Sequence, residues 1–196
     1  MIQWLKEGER NMKFFHKAIQ QRSQQNRIFS LKENQGNKLT QKEEMENLLV
    51  QHFKGILTRI QSNREEHIAK ISQYIPKRVN REQSMALLRV ITEKEVEEIV
   101  MTMEKNKAPG PDGYTLEFFQ ATWSFMSQDI VNAVEESRCT ERMQSDLNAT
   151  FLALIPKTKK AEEPQGFRPI ALCNVIYKIL ATIMVNRLKY ILPELI

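Results

Sequence analysis

Two basic residues in the last quarter of the chain have the types and surroundings of an anion-binding pair. Lys157 directly follows an apolar run that a proline closes, and Arg168 lies inside the next apolar run. Because an isolated buried charge is very costly, Arg168 requires an anion or a carboxylate beside it. Its planar fork suits phosphate oxygens, which it binds with two parallel hydrogen bonds. The pair predicts phosphate binding, and the alternative is a salt bridge from Arg168 to Glu162 or Glu163.

A second distinctive stretch, residues 107–114, has the sequence Lys-Ala-Pro-Gly-Pro-Asp-Gly-Tyr. Each proline fixes φ near the extended region and removes a backbone donor, whereas each glycine permits φ values closed to other residues. The segment, called the proline-glycine loop below, is therefore rigid and sharply shaped, and no helix continues through it. It predicts either a binding loop or a plain connector between two helices.

The sequence lacks the patterns of a complete enzyme. It contains no glycine-rich phosphate loop, no nucleophile elbow and no zinc-protease motif. Two-metal phosphoryl transfer needs carboxylates that hold two ions about 4 Å apart, but the acidic residues fall almost wholly on predicted helices and loops. Cys139, Cys173 and the three histidines have neither the spacing of a disulfide framework nor that of a metal site. The residues therefore predict no catalytic group and no cofactor in this chain.

The basic pair is positioned by a predicted β-hairpin. Residues 150–155 form a short continuous apolar run, which is typical of a strand buried on both faces. A polar, basic loop that includes Lys159 and Lys160 follows, and residues 167–172 form the return strand. Asn174 can then cap a helix that continues to about residue 191 and is apolar over much of its surface.

The rest of the chain is predicted to be mostly helical. Helical periodicity covers residues 2–25, 40–60, 92–103 and 115–137, a short hairpin is predicted within 27–39, and residues 61–90 read as a short helix and a loosely held connector. Thr40 with Glu43, and Thr92 with Glu95, have the spacing of capping boxes at two helix starts. The predicted fold class is α+β with a small β-hairpin.

Charge is distributed unevenly along the 196 residues. The formal net charge is +5, with +5 in residues 1–40, −3 in 41–144 and +3 in 145–196. Positive ends are compatible with a polyanionic partner, although a basic balance alone is weak support for one. We find no signal peptide and no apolar run long enough to span a bilayer, so we expect an intracellular, soluble protein without a membrane partner.

Three blocks of sequence resemble, in order and spacing, the linker and fingers of plant LINE-type reverse transcriptases, which are encoded by non-LTR retrotransposons. Residues 4–16 are similar to the segment that joins endonuclease and polymerase, and the proline-glycine loop is similar to the one that opens the fingers. The third block comprises Leu154–Lys157, Phe167–Asn174, Tyr177–Ile179 and Asn186–Leu188. The resemblance covers nearly the whole chain.

The resemblance implies a right-hand polymerase that copies RNA into DNA with two Mg²⁺ ions. It places the template strand against the proline-glycine loop, at Lys107, Pro109, Gly110, Asp112, Gly113 and Tyr114. It places the triphosphate and base of the incoming nucleotide at Lys157 and Arg168. The expected partners are an RNA template and a DNA primer, bound weakly, and a deoxynucleotide triphosphate when a palm is present.

The chain also departs from the family pattern, because the catalytic aspartates of the palm have no counterpart in these residues. We therefore expect a linker with a short hairpin over 1–39, a helical extension over 40–104 and incomplete fingers over 105–196. Such a segment would hold no cofactor and would be inactive alone. Two alternatives remain open: a nucleic-acid binding module that does not polymerise, and a helical protein-interaction domain.

Overall fold

The computed structural model describes residues 17, 20, 23–24, 26–33, 36–58, 64–74, 79–158 and 161–195. Most of the predicted helix over 2–25 lies outside this part of the chain, as do the block 4–16 and the hairpin-loop residues Lys159 and Lys160. Within it the chain is a mostly helical α+β protein with two small two-stranded antiparallel sheets, in agreement with the predicted fold class.

Eight helices and four strands follow one another in the described part of the chain. The helices are α1 (Lys42–Leu57), α2 (Arg64–Ser72), α3 (Arg81–Leu88), α4 (Glu93–Thr102), α5 (Leu116–Thr140), α6 (Ser145–Asn148), α7 (Val175–Lys189) and α8 (Leu192–Leu195). The strands are β1 (Leu31–Lys32), β2 (Lys38–Leu39), β3 (Thr150–Pro156) and β4 (Phe167–Cys173), and a 3₁₀ turn spans Pro164–Gly166. The predicted hairpin within 27–39 is confirmed, with Leu31 opposite Leu39.

The chain divides into two compact units. The first unit comprises Met1–Ser62 and Leu152–Ile170, and the second comprises Asn63–Phe151 and Ala171–Ile196. Strands β3 and β4 pair with each other, and the division falls within both strands. The predicted division at residues 39 and 104 stays a prediction.

The core of the second unit lies among α4, α5 and α7. Their apolar positions recur at helical spacing, so each helix turns one face inward. Removing these side chains from water is the main favourable term for the unit, at roughly 25 cal/mol per Å² of apolar surface. The most deeply buried members are Val96, Val100, Ile130, Val134, Ile179 and Ile183.

The first unit has a smaller core. Leu31 of β1 packs with three residues of α1, Met45, Leu49 and Phe53, and with Phe167 at the start of β4. Because side chains alternate across a strand, burial of Phe167 turns the next residue, Arg168, toward solvent. This core fixes the root of the β3–β4 hairpin within the first unit.

Several local predictions about helix starts are corrected. Helix α1 begins at Lys42 after Gln41, and Thr40 makes no cap because it lies one position too early, directly after β2. At α4, the Thr92 hydroxyl accepts from the Glu95 N–H at 3.3 Å, so half of the predicted capping box forms. The Glu95 carboxylate instead accepts from Arg187.

Two further predictions are wrong. Strand β3 is exposed or half-buried along its length, because in the described residues it pairs only with β4 and lacks the covering layers that bury a parallel strand. Residues 61–90, predicted as one short helix and a connector, contain α2 and α3. A full capping box between Asn80 and Gln83 begins α3, and the Asn-x-x-Gln spacing could have predicted it.

Candidate nucleic-acid interface

The proline-glycine loop is a tight turn in which the backbone N–H groups of Asp112, Gly113 and Tyr114 are hydrogen-bonded. The Gly113 N–H donates to the Gly110 carbonyl at 3.1 Å, which closes a turn through Pro111 and Asp112. Gly113 has φ +76°, a value that favours glycine. The Tyr114 N–H donates to Asp112 Oδ1 at 3.0 Å, an interaction by which aspartate commonly stabilises a turn. The loop therefore presents Tyr114 in a defined position.

Asn174, the residue between β4 and α7, fixes this loop to the second unit. Its Oδ1 accepts from the Asp112 N–H at 3.2 Å, and its Nδ2 donates to the carbonyls of Asp146 and Leu147 at 2.8 and 3.4 Å. Asn174 is 1% exposed. Although its sequence position predicted a helix cap, its side chain caps nothing, because all of its hydrogen bonds go to other segments.

Gly110 lies directly against the same residue. A Cβ atom on Gly110 would be 2.2 Å from Asn174 Oδ1, 2.4 Å from Asn174 N and 2.6 Å from Cys173 C. Two of those three atoms belong to the backbone, so they cannot move aside as a flexible side chain would. Only glycine allows the loop to approach the β4–α7 junction this closely.

Residues 106–108, at the start of the loop, are held by hydrogen bonds and an ion pair to charged side chains. The N–H of Asn106, which has φ +61°, donates to Glu117 Oε1 at 2.7 Å, and this hydrogen bond lowers the pKa of Glu117. Lys107 Nζ lies 2.9 Å from Glu104 and lowers the pKa of that carboxyl. From α7, Lys178 Nζ donates to the Ala108 carbonyl at 3.3 Å. Lys107 therefore forms an exposed ion pair, which contributes little to stability.

Tyr114 is the exposed aromatic residue of the loop. Its ring stacks on Phe118 with the centroids 4.6 Å apart and an angle of 29°, and Phe118 meets Phe119 edge-to-face at 5.5 Å. Phe119 is buried in the core, whereas Tyr114 is 50% exposed. The stack connects the loop to the first turns of α5.

Lys157 and Arg168 both lie on the β3–β4 hairpin, in the first unit. The Lys157 N–H donates to the Gly166 carbonyl and its Nζ donates to the Gln165 carbonyl, both at 2.8 Å. Arg168 is exposed, and within the described residues it forms no salt bridge. The argument that a buried Arg168 needs a counter-ion is therefore wrong.

The alternative salt bridge to Glu162 or Glu163 is not formed either. The Glu162 carboxylate pairs with Lys32, whose pKa is raised chiefly by that hydrogen bond, and the Glu163 carboxylate accepts from Gln165. The structure thus leaves the guanidinium of Arg168 at the surface of the return strand. Its predicted role toward a nucleotide stays a prediction.

The structure brings together the loop residues from Pro109 to Tyr114 with the β4–α7 junction, all within the second unit. Sequence reasoning missed Asn174 as a partner of the loop. The signal that could have found it is indirect: a loop with glycine at a fixed position implies a backbone packed against that glycine, but the sequence does not say which one.

Among the described residues, no group of three or more His, Cys, Asp or Glu could hold a metal ion, and no helix is long and apolar enough to cross a membrane.

Comparison with known proteins gives a partial similarity to a transposon protein. No protein-family model matches the chain. Over 106 residues, which are 54% of this chain, the sequence is 33% identical to the uncharacterized 149 kDa protein of transposon TX1 from Xenopus laevis. The matched stretch is 8% of the length of that protein. The chain is therefore distantly similar, over part of its length, to a transposon protein whose name states no activity.

Proposed function

We propose that this chain is the fingers segment of an RNA-directed DNA polymerase encoded by a non-LTR retrotransposon, and that it contacts the template and the incoming nucleotide. The similarity to a transposon protein supports the element origin. The observation that carries the proposal is the packing of the proline-glycine loop against the β4–α7 junction. Gly110 packs against Asn174, and Asp112, which is 62 residues before Asn174, is hydrogen-bonded to it.

In this proposal the proline-glycine loop lies on the RNA template. Lys107, Pro109, Gly110, Asp112, Gly113 and Tyr114 are the template-binding residues. Lys157 and Arg168 bind the nucleotide on the hairpin, where the exposed guanidinium is free to take phosphate oxygens with its planar fork. Catalysis requires carboxylates that hold Mg²⁺, and in this proposal a palm domain supplies them. The segment therefore binds nucleic acid without polymerising.

The first test is binding of single-stranded RNA to the full 196-residue chain, followed by fluorescence anisotropy in a salt series. Contacts to phosphates release counterions, so the logarithm of the affinity falls linearly with the logarithm of the salt concentration. We expect weak binding with a steep slope and little dependence on sequence. Absence of binding, or binding that is insensitive to salt, would contradict the proposal and favour a protein-interaction domain.

The second test separates a polymerase segment from a module that only binds nucleic acid. Primer extension on an RNA template is measured for the chain alone and for the chain joined to the palm of a related intact element. We expect incorporation only in the joined protein. A joined protein that binds RNA normally but never extends a primer would favour the non-polymerising module.

A further inference from the structure

We propose that the Tyr114 ring is a stacking platform for one unpaired nucleobase, and that Asn174 is the positioning residue that holds it. The inference rests on the proposed function, in which the loop lies on the RNA template, and it specifies what part of the RNA the loop binds. The contact is with a base of a single strand, because a base in a duplex has both faces covered by its neighbours.

The first argument is the geometry of the ring. Phe118 covers one face of Tyr114 at 4.6 Å, and half of the residue remains exposed to solvent. Phe118 is in turn held edge-to-face by the buried Phe119. The exposed ring is therefore backed by two aromatic side chains rooted in the core. A base added to it would extend an existing stack, and base–aromatic stacking tolerates any sequence because every base has a π-face.

The second argument is that the loop offers few backbone donors to a phosphate. Anion-binding turns present several free N–H groups. Here the amides of Asp112, Gly113 and Tyr114 all donate to acceptors within the second unit. Pro109 and Pro111 have no N–H, and Gly110 is buried. The exposed surface of the turn is left with the aromatic ring as its main contact group.

The third argument is preorganisation. Asn174 Oδ1 accepts a hydrogen bond from the Asp112 N–H, and the Asp112 carboxylate accepts one from the Tyr114 N–H. Because Asn174 is almost fully buried and also donates to two carbonyls of α6, its side chain cannot follow the loop if the loop moves. The ring is thus fixed before any ligand arrives, which reduces the entropy lost on binding.

The experiment compares two fluorescent 12-nucleotide probes on the full chain. One is single-stranded RNA with bases, and the other has the same phosphates but abasic sites at its central positions. We expect wild-type protein to bind the base-containing probe more tightly. Tyr114→Ala should weaken that binding about 5- to 150-fold, the range measured when an aromatic platform is removed. Binding of the abasic probe should not change.

The controls separate stacking from general effects. Tyr114→Phe keeps the ring and should bind within about twofold of wild type. Tyr190→Ala removes a tyrosine that is 82% exposed elsewhere in the same unit and should leave both affinities unchanged. Asn174→Asp keeps the shape but loses both donors to the carbonyls, so it should reduce the preference for bases over abasic sites. If that variant does not fold, Gly113→Ala, which strains the turn at φ +76° with open space around it, serves the same purpose.

The outcomes distinguish this inference from the proposed function. If wild-type protein binds neither probe, the proposed function fails and the inference fails with it. If wild type binds both probes equally, or Tyr114→Ala binds the base-containing probe as wild type does, the stacking inference alone is wrong. If folded Asn174→Asp and Gly113→Ala keep the full preference for bases, Asn174 is not a positioning residue.

Discussion

At the scale of single residues, the Arg187 guanidinium connects several segments of the second unit. It donates to both oxygens of Glu95 at 3.0 and 2.7 Å and to the carbonyls of Leu87, Arg89 and Val90. Arg187 is 8% exposed. Its hydrogen bonds lower the pKa of Glu95 and fasten the start of α4 and the segment before it onto α7.

We predict that Arg187→Ala lowers the free energy of unfolding by about 3–5 kcal/mol, because it removes the buried partner of the Glu95 carboxylate and the donor to three carbonyls. Arg89→Ala is the matched control. Arg89 donates to the same carboxylate at 3.3 Å, but its side chain is 63% exposed, so its loss should cost about 0–1 kcal/mol. Urea denaturation followed by circular dichroism measures both. Equal effects of the two substitutions would contradict the assignment.

Arg168 provides the residue-scale prediction for nucleotide binding. In the chain joined to a palm, Arg168→Ala should lower kcat/KM for the nucleotide, since a charge-assisted hydrogen bond is worth about 1.5–3 kcal/mol. Arg168→Lys should restore only part of it, because a point charge cannot reproduce the fork. Lys157→Ala should have a milder effect of the same kind. Because Arg168 is exposed and forms no salt bridge among the described residues, the melting temperature of Arg168→Ala should equal that of the wild-type protein.

Changes at Lys159 and Lys160 are the control for general basicity. They should weaken template binding slightly and leave the kinetics of nucleotide use alone. If Arg168→Ala leaves nucleotide kcat/KM unchanged, Arg168 does not belong to the active site.

At the scale of elements, the proline-glycine loop can pack against the β4–α7 junction only because Gly110 has no Cβ atom. Gly110→Ala should destabilise the chain by about 1–3 kcal/mol, the cost of overpacking, because the new atom meets backbone atoms of Cys173 and Asn174. Gly55→Ala is the control: Gly55 lies inside α1 with nothing within 4 Å of an added Cβ, so alanine should stabilise by about 0.5–1 kcal/mol. Thermal unfolding compares them. A neutral Gly110→Ala would show that the loop is not held against the β4–α7 junction.

The elements that the sequence predicted well are those whose burial follows from their own periodicity. Helices predicted at 92–103 and 115–137 are observed at Glu93–Thr102 and Leu116–Thr140, because one apolar stripe suffices to define a helix. Burial of β3 was predicted wrongly, since the number of layers that cover a strand is not encoded in the strand itself. Asn174 is a similar case: its local position suits a helix cap, and tertiary hydrogen bonds determine its actual partners.

The candidate site shows the same limit. The loop was predicted as a rigid turn because proline and glycine restrict the backbone locally, and the turn at Gly110–Gly113 agrees with this. The state of Arg168 was not predictable, because its exposure depends on Phe167 packing against α1 and β1, which are more than a hundred residues away in sequence.

At the scale of the whole molecule, two of the carboxylates with lowered pKa link separate elements of the second unit. Arg138 Nε donates to Glu135 at 2.8 Å, and this interaction lowers the pKa of Glu135 from 4.5 to about 2. Glu135 also accepts from the Ile91 N–H at 3.1 Å, and so links α5 to the segment before α4. Glu95 is shifted in the same direction by Arg187.

These shifts predict that acid destabilises the second unit. Between about pH 4.5 and 2 the unfolded chain binds a proton at Glu135 while the folded chain keeps this carboxylate ionised. The lowered pKa of Glu95 acts in the same direction. The unfolded state then holds more protons, so the free energy of unfolding falls as the pH falls, and the full contribution returns above about pH 5.

In a Trp4→Phe background, fluorescence reports on Trp123, which is buried in the core of this unit. Urea titrations at pH 7 and pH 3.5 should show a lower midpoint in acid. Glu135→Gln should narrow the difference between the two pH values, whereas Glu136→Gln, one position further along α5, should preserve it. Equal midpoints at the two pH values in the wild-type protein would show that these ion pairs do not hold the second unit together.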